Sequence, residues 1–123
     1  MAVRRFVVTV TSDGSSNATV YSPYLSGKIA AINYVKTDYA DTVDFTITGE
    51  ATGQTLWTES NVTASKVCMP RGATHSNVGA ASLYAAAGEA VMDLFRLSRD
   101  RVKIVLAQAG ATKTGTFHIL VED

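Results

Sequence analysis

The sequence predicts a mainly β domain, and three observations carry that prediction. Val, Ile, Thr, Tyr, Phe and Trp make up 44 of the 123 residues, and these β-branched and aromatic side chains fit a pleated, half-buried surface better than a helix. Period-two alternation of apolar and polar residues recurs in several short runs. Turn-forming clusters separate those runs at spacings of roughly 8–12 residues, which indicates a sandwich or barrel rather than βαβ units.

The first run, Arg4 to Thr11, sends Phe6, Val8 and Val10 one way and Val7, Thr9 and Thr11 the other. Ser12 to Asn17 is a turn cluster, Ala18 to Tyr21 resumes β character, and Pro23 closes that piece. A longer strand is expected from Gly27 to Lys36, with Ile32 and Tyr34 inward. Ile29 and Ala31 fall on the opposite parity, so this strand needs a bulge or two apolar faces.

Val43 to Thr48 is the cleanest alternation, with Val43, Phe45 and Ile47 predicted in the core. Gly49 to Gly53 reads as a turn and Thr55 to Thr58 as the returning strand of a hairpin. Asn61 to Met69 is a further strand candidate, stopped by Pro70-Arg71-Gly72.

The β signal then fails from Gly72 to about Ser98. Six of the eleven residues from Ala80 to Ala90 are alanine, which has the best helix propensity. Two readings stand: a short helix over Ala80 to Ala87, or a long small-residue excursion leading to an extended piece at Val91 to Leu97. Near the end, Val102, Ile104 and Leu106 alternate with Lys103, Val105 and Ala107, and Phe117, Ile119 and Val121 with Thr116, His118 and Leu120. The loop from Ala109 to Thr114 holds the glycine that a hairpin needs. The sum is one domain over residues 1–123, a single antiparallel β-sandwich of jelly-roll type.

A chain of this length has a folded surface of about 6,300 Å² against about 19,000 Å² when open, so a core forms without disulfides or a structural metal. Eleven basic and eleven acidic residues give zero formal net charge, without the basic excess of a nucleic-acid binder. No apolar run approaches the roughly 20 residues of a membrane span, and no secretory signal follows Met1-Ala2-Val3-Arg4-Arg5. Neither nucleic acid nor membrane is expected as a partner.

The search for catalytic chemistry finds no constellation. His75 and His118 lack a second ligand at metal spacing, and there is no CxxC or HExxH. Cys68 lies seven residues before His75, a spacing with no known mechanics, and reads as a packed thiol. Gly110 to Thr114 lacks the glycine directly before Lys113 that a phosphate loop needs. Asp38, Asp41 and Asp44 lack the glycine and terminal glutamate of a calcium loop. The expectation is therefore a protein that is not an enzyme and uses no cofactor or metal. Arg96, Arg99, Arg101 and Lys103 form a basic cluster broken by Asp100. It reads by default as a solvated strand entrance, and otherwise as a grip on nucleic acid or an acidic protein surface.

One set of residues, taken in order, carries a resemblance. It runs from Gly27-Lys28-Ile29 to Tyr34, through Asp44-Phe45-Thr46-Ile47-Thr48, Gly53, Leu56-Trp57 and Pro70-Arg71, to Asp100 through Gln108 and Lys113-Thr114-Gly115-Thr116-Phe117. This order resembles small structural proteins of tailed bacteriophages, and in kind the capsid decoration or cement proteins, small jelly-roll or β-sandwich domains. Two departures fall in loops: Ala109 stands before Gly110 where such sequences often carry a double glycine, and the Ala80 to Ala90 stretch is richer in alanine.

The resemblance implies a virion protein made in the bacterial host cytoplasm and placed on the outer capsid surface. Its partners would be the major capsid protein and itself, as a dimer or trimer. The contact residues expected are Arg4 and Arg5, the loop from Pro70 to His75 with Arg71 and His75, and Tyr84. A tail or head-tail connector component is the neighbouring reading. From another class, a carbohydrate-binding module would use Trp57, Tyr34 and Tyr39 as an aromatic platform.

Overall fold

A computed structural model describes residues 2–122, and among them every regular element is a strand. The strands are β1 (Val3–Thr11), β2 (Ala18–Tyr21), β3 (Leu25–Lys36), β4 (Asp44–Gly49), β5 (Thr55–Glu59), β6 (Lys66–Cys68), β7 (Arg71–Ala73), β8 (Met92–Leu94), β9 (Arg96–Asp100), β10 (Val102–Ala107) and β11 (Thr114–Glu122). One sheet runs β1-β11-β3-β6, with β9 also paired to β3, and a second runs β2-β10-β4-β5. All their pairings are antiparallel. They also nest: β4 with β5, β3 with β6, β2 with β10 and β1 with β11. The chain thus behaves as one long hairpin, with its tip at β4–β5, rolled so that its limbs alternate between the sheets.

Alternation explains why the sheets close on each other. Every second residue of β10 and β11 is buried: Val102, Ile104 and Leu106 in one sheet, Phe117, Ile119 and Val121 in the other. These side chains join a single core cluster drawn from both sheets. At its centre Phe45 of β4 meets Phe117 of β11 edge-on at 5.3 Å and Tyr34 of β3 at the same separation. Such offset geometries are the favoured ones for aromatic pairs.

The parity conflict in β3 is resolved by a bulge. Leu120 pairs with Ala31 and Val121 with Ile29, so Ala30 is the extra residue. Ile29, Ile32 and Tyr34 are consequently all buried. Beyond the bulge, Gly27 sits at φ 130° with the carbonyl of Glu122 where a β-carbon would be, a position only glycine fills.

Four expectations need correction. Asn61 to Met69 is not one strand: only Lys66–Cys68 pairs, because Val62 turns into the core and its N–H bonds to Val43 O. Pro70-Arg71-Gly72 does not simply stop the chain, since Arg71 begins β7. The loop from Ala109 to Thr114 closes no hairpin. β10 and β11 lie in different sheets, and the loop carries the chain between them with Gly110 and Thr112 at positive φ. The segment from Ala80 to Ala90 forms turns and isolated bridges, with no helix. Its N–H groups bond within the segment and to its neighbours, Ser82 to Thr74 O and Tyr84 to Glu89 O, and Ala87 takes a positive φ. Packing rather than propensity holds most short helices.

Candidate functional site

The alanine-rich segment belongs to an arm inserted between β6 and β9. β7 and β8 form its two-stranded root, with Arg71 opposite Leu94 and Ala73 opposite Met92. Phe95 packs against Gly72, where a β-carbon would lie 2.8 Å from its ring. Beyond the root, the backbone bonds of Thr74, Ser76, Ser82, Tyr84, Gly88 and Val91 all go to partners within the arm. Thr74 also donates its hydroxyl to Val91 O at 3.0 Å. His75 bridges to Ala81 and Leu83 to Ala90. The arm therefore has its own hydrogen-bond ladder and little core of its own.

Its surface carries little charge and several exposed apolar side chains. Val78 is 83% exposed and Tyr84 75%, with Leu83, Met92 and the neighbouring Met69 also exposed. Between Gly72 and Met92 the only charged side chains are Glu89 and, when protonated, His75. A cleft of about 270 Å³ runs along the root, between Gln54 of the β4–β5 turn and Thr74, Asp93 and Arg96. Arg96 pairs with Asp93 at 3.0 Å there. The backbone N–H of Leu94 and the Arg96 guanidinium hold the Asp93 carboxyl below its ordinary range.

The contact residues predicted from sequence divide into two groups. Arg71, His75 and Tyr84 all lie on the arm, exposed. Arg4 and Arg5 lie on β1, an edge strand that β11 separates from β3. The alternation of β1 also sends them to opposite faces. Arg5 shares the outward face with Val7, whereas Arg4 lies 5.9 Å over the Phe6 ring.

Other singled-out residues are dispersed. His118 is on the outward face of β11, opposite Val7 and Asn33. Cys68 is half-buried beside Ile32, and burial pushes its thiol pKa up. The basic cluster does not converge on a single patch. Arg96 pairs with Asp93, and Arg101 forks onto Glu50 through Nε at 2.9 Å and Nη2 at 2.5 Å. That carboxylate raises the Arg101 pKa. Trp57, Tyr34 and Tyr39 are all buried in the core, so they offer no aromatic platform. Among the described residues no group of three or more His, Cys, Asp or Glu is placed to hold a metal ion.

Two features escaped the sequence reading. Arg101 stacks 4.3 Å from the Tyr21 ring and 5.1 Å from that of Tyr24, a cluster joining residues about eighty positions apart. The outward faces of the two sheets also differ in kind. That of β2-β10-β4-β5 is rich in threonine, with Thr19, Val105, Thr46 and Thr58 in one cross-strand row. That of β1-β11-β3-β6 exposes Val3, Val7, Val35 and Val67. The signal was present in Val7, a valine at an outward position between polar ones. No protein-family model matches the chain, and no curated protein is similar to it in sequence.

Proposed function

We propose that the chain is a non-enzymatic virion structural protein, a decoration or cement protein. It binds the outside of a tailed-phage capsid and stabilises contacts between major capsid subunits. The reading rests on the resemblance of its strand and turn residues to such proteins. The strand order supports a jelly roll: nested antiparallel pairs in two sheets, 1-11-3-6 and 2-10-4-5, are what a rolled long hairpin produces.

The observation that carries the reading is the arm. A two-sheet body bears a self-bonded arm that is nearly uncharged and exposes Val78, Leu83 and Tyr84. Each large apolar side chain buried against a partner contributes about 1.5–3 kcal/mol, and tyrosine adds contact area at low entropic cost. Tyr84, Leu83 and Val78 would dock on the capsid subunit, with Arg71 and His75 at the arm's polar margin. A lattice repeats the contact many times, so each one need only be modest.

The test is quantitative mass spectrometry of purified particles of the phage that encodes the chain, scaled to the major capsid protein. A stoichiometric or simple fractional ratio is expected. A much smaller copy number would place the chain in the tail or connector, and absence from the particle would overturn the structural reading. Tyr84→Ala with Leu83→Ala should strip the protein from the capsid while leaving it folded.

A further inference from the structure

The outward face of the β1-β11-β3-β6 sheet carries a pattern that reads alike from both edges. Its central row, fixed by the strand register, is Val7, His118, Asn33, Val67, with one residue from each strand. Apolar residues stand at both ends and hydrogen-bonding residues in the middle. Val7 is 51% exposed and Val67 58%. Near one end of the sheet Glu122 of β11 stands beside Lys28 of β3, and the adjoining row holds Leu120 and Ala31.

We propose that this face binds a second copy of the chain about a two-fold axis lying along the strands, midway between β11 and β3. That operation sets β1 of each copy over β6 of the other and β11 over β3. Val7 then meets the partner's Val67, His118 meets the partner's Asn33, and Glu122 meets the partner's Lys28. A self-complementary patch is what an isologous dimer requires. Here apolar meets apolar and donor meets acceptor in the central row, and acid meets base in the end row, where Val3 comes to the partner's Arg96. Sheets pack face to face at about 10 Å with nearly aligned strands, which this axis provides.

The area is sufficient for a weak dimer. Three strands of about 30 Å and the three-residue β6, spaced at about 4.8 Å, cover roughly 480 Å². A stable interface buries about 600–1,000 Å² per partner, so association in the micromolar range is expected. The threonine-rich face of the other sheet carries an exposed apolar side chain at one edge only, Tyr21 on β2, with Thr55 and Thr58 outward on β5 at the other. The inference deepens the reading above by naming the surface through which copies meet, and it leaves the arm available to the capsid.

Sedimentation velocity over a concentration series tests it with the full chain. The unmodified protein should show a concentration-dependent dimer. Val7→Lys alone should weaken it about tenfold or more, as should Val67→Glu, whereas Val105→Lys on the opposite face should leave it unchanged. Combining Val7→Lys with Val67→Glu should restore association. Within one copy these positions are three strand spacings apart, about 14 Å, too far to pair, but across the axis they meet. Circular dichroism melts verify that each variant is folded. A monomer at all concentrations, equal loss with Val105→Lys, or failure of the double variant to recover would overturn the proposal. Particle binding, measured separately, distinguishes the two readings: monomers that still decorate capsids overturn the dimer alone.

Discussion

Tyr39 packs its ring onto Gly115. A β-carbon at residue 115 would fall into that ring, with Cζ only 2.8 Å away. The same tyrosine donates its hydroxyl to the carbonyl of Val10 on β1 and stacks on Tyr34 at 6.1 Å and 8°. One side chain from the β3–β4 connection therefore ties together β1, β11 and the aromatic core. Gly115→Ala should displace it and cost about 2–4 kcal/mol, combining overpacking with a lost buried hydrogen bond. Tyr39→Phe keeps the ring and should cost about 1 kcal/mol. Urea unfolding of both variants would show that order, and equal stability of Gly115→Ala and the parent would contradict it.

Tyr34 behaves oppositely although it stacks on the same ring. Its hydroxyl is buried and finds no hydrogen-bond partner. An unpaired buried hydroxyl costs about 1–3 kcal/mol. Tyr34→Phe should therefore raise the thermal midpoint, and a clear fall would show that the hydroxyl is satisfied.

Alkaline pH should weaken the fold in a defined window. Burial pushes the Tyr34 pKa up to about 12 from 10.0, and it raises that of Tyr39 as well. The fold favours the protonated phenols, so their contribution is complete below pH 10 and is lost as pH climbs towards 12. Stability measured from pH 9 to 12 should fall over that interval alongside the tyrosinate absorbance. The fall should be smaller in Tyr34→Phe.

Removing the arm should leave the body intact. Ala73 and Met92 are paired, so a two-residue turn can replace residues 74–91. The arm's ladder bonds to itself, and the shortened protein should unfold within about 1 kcal/mol of the parent. If the proposed function holds, it should also fail to bind capsids. A collapse of stability would show that the arm supports the core.

Much of the fold was legible because alternation is a local property. Val8 and Val10, Phe45 and Ile47, Ile104 and Leu106, and Phe117 and Ile119 are buried as their parity predicts. The conflict between Ile29 and Ile32 called for a bulge or a second apolar face in β3, and the strand has both: Ala30 is the extra residue, and Ala31 is buried on the face opposite Ile32, beside Leu120. The stretch from Asn61 to Cys68 misled because Val62 and the short β6 serve different parts of the core, and composition does not reveal a break between them. Gly110 signalled a turn correctly but not its destination, since a glycine specifies local φ and not which sheet the next strand joins. The grouping of the candidate contact residues was not legible, because it depends on which strands pair. Arg71, His75 and Tyr84 share the arm, whereas Arg4 and Arg5 lie across the sheet and on different faces.

The sequence by itself determined that this is a mainly β chain, which residues of most strands turn inward, and where the principal turns fall. Each of those depends on a few consecutive residues and the two-residue period of a strand. Tertiary structure alone decided the nested pairing of distant strands, the separation of Arg4 and Arg5 from the arm, and the alignment of Val7, His118, Asn33 and Val67 in one row. Those positions are brought side by side only when both sheets close over a common core, because register between strands is set by which apolar faces can be buried together.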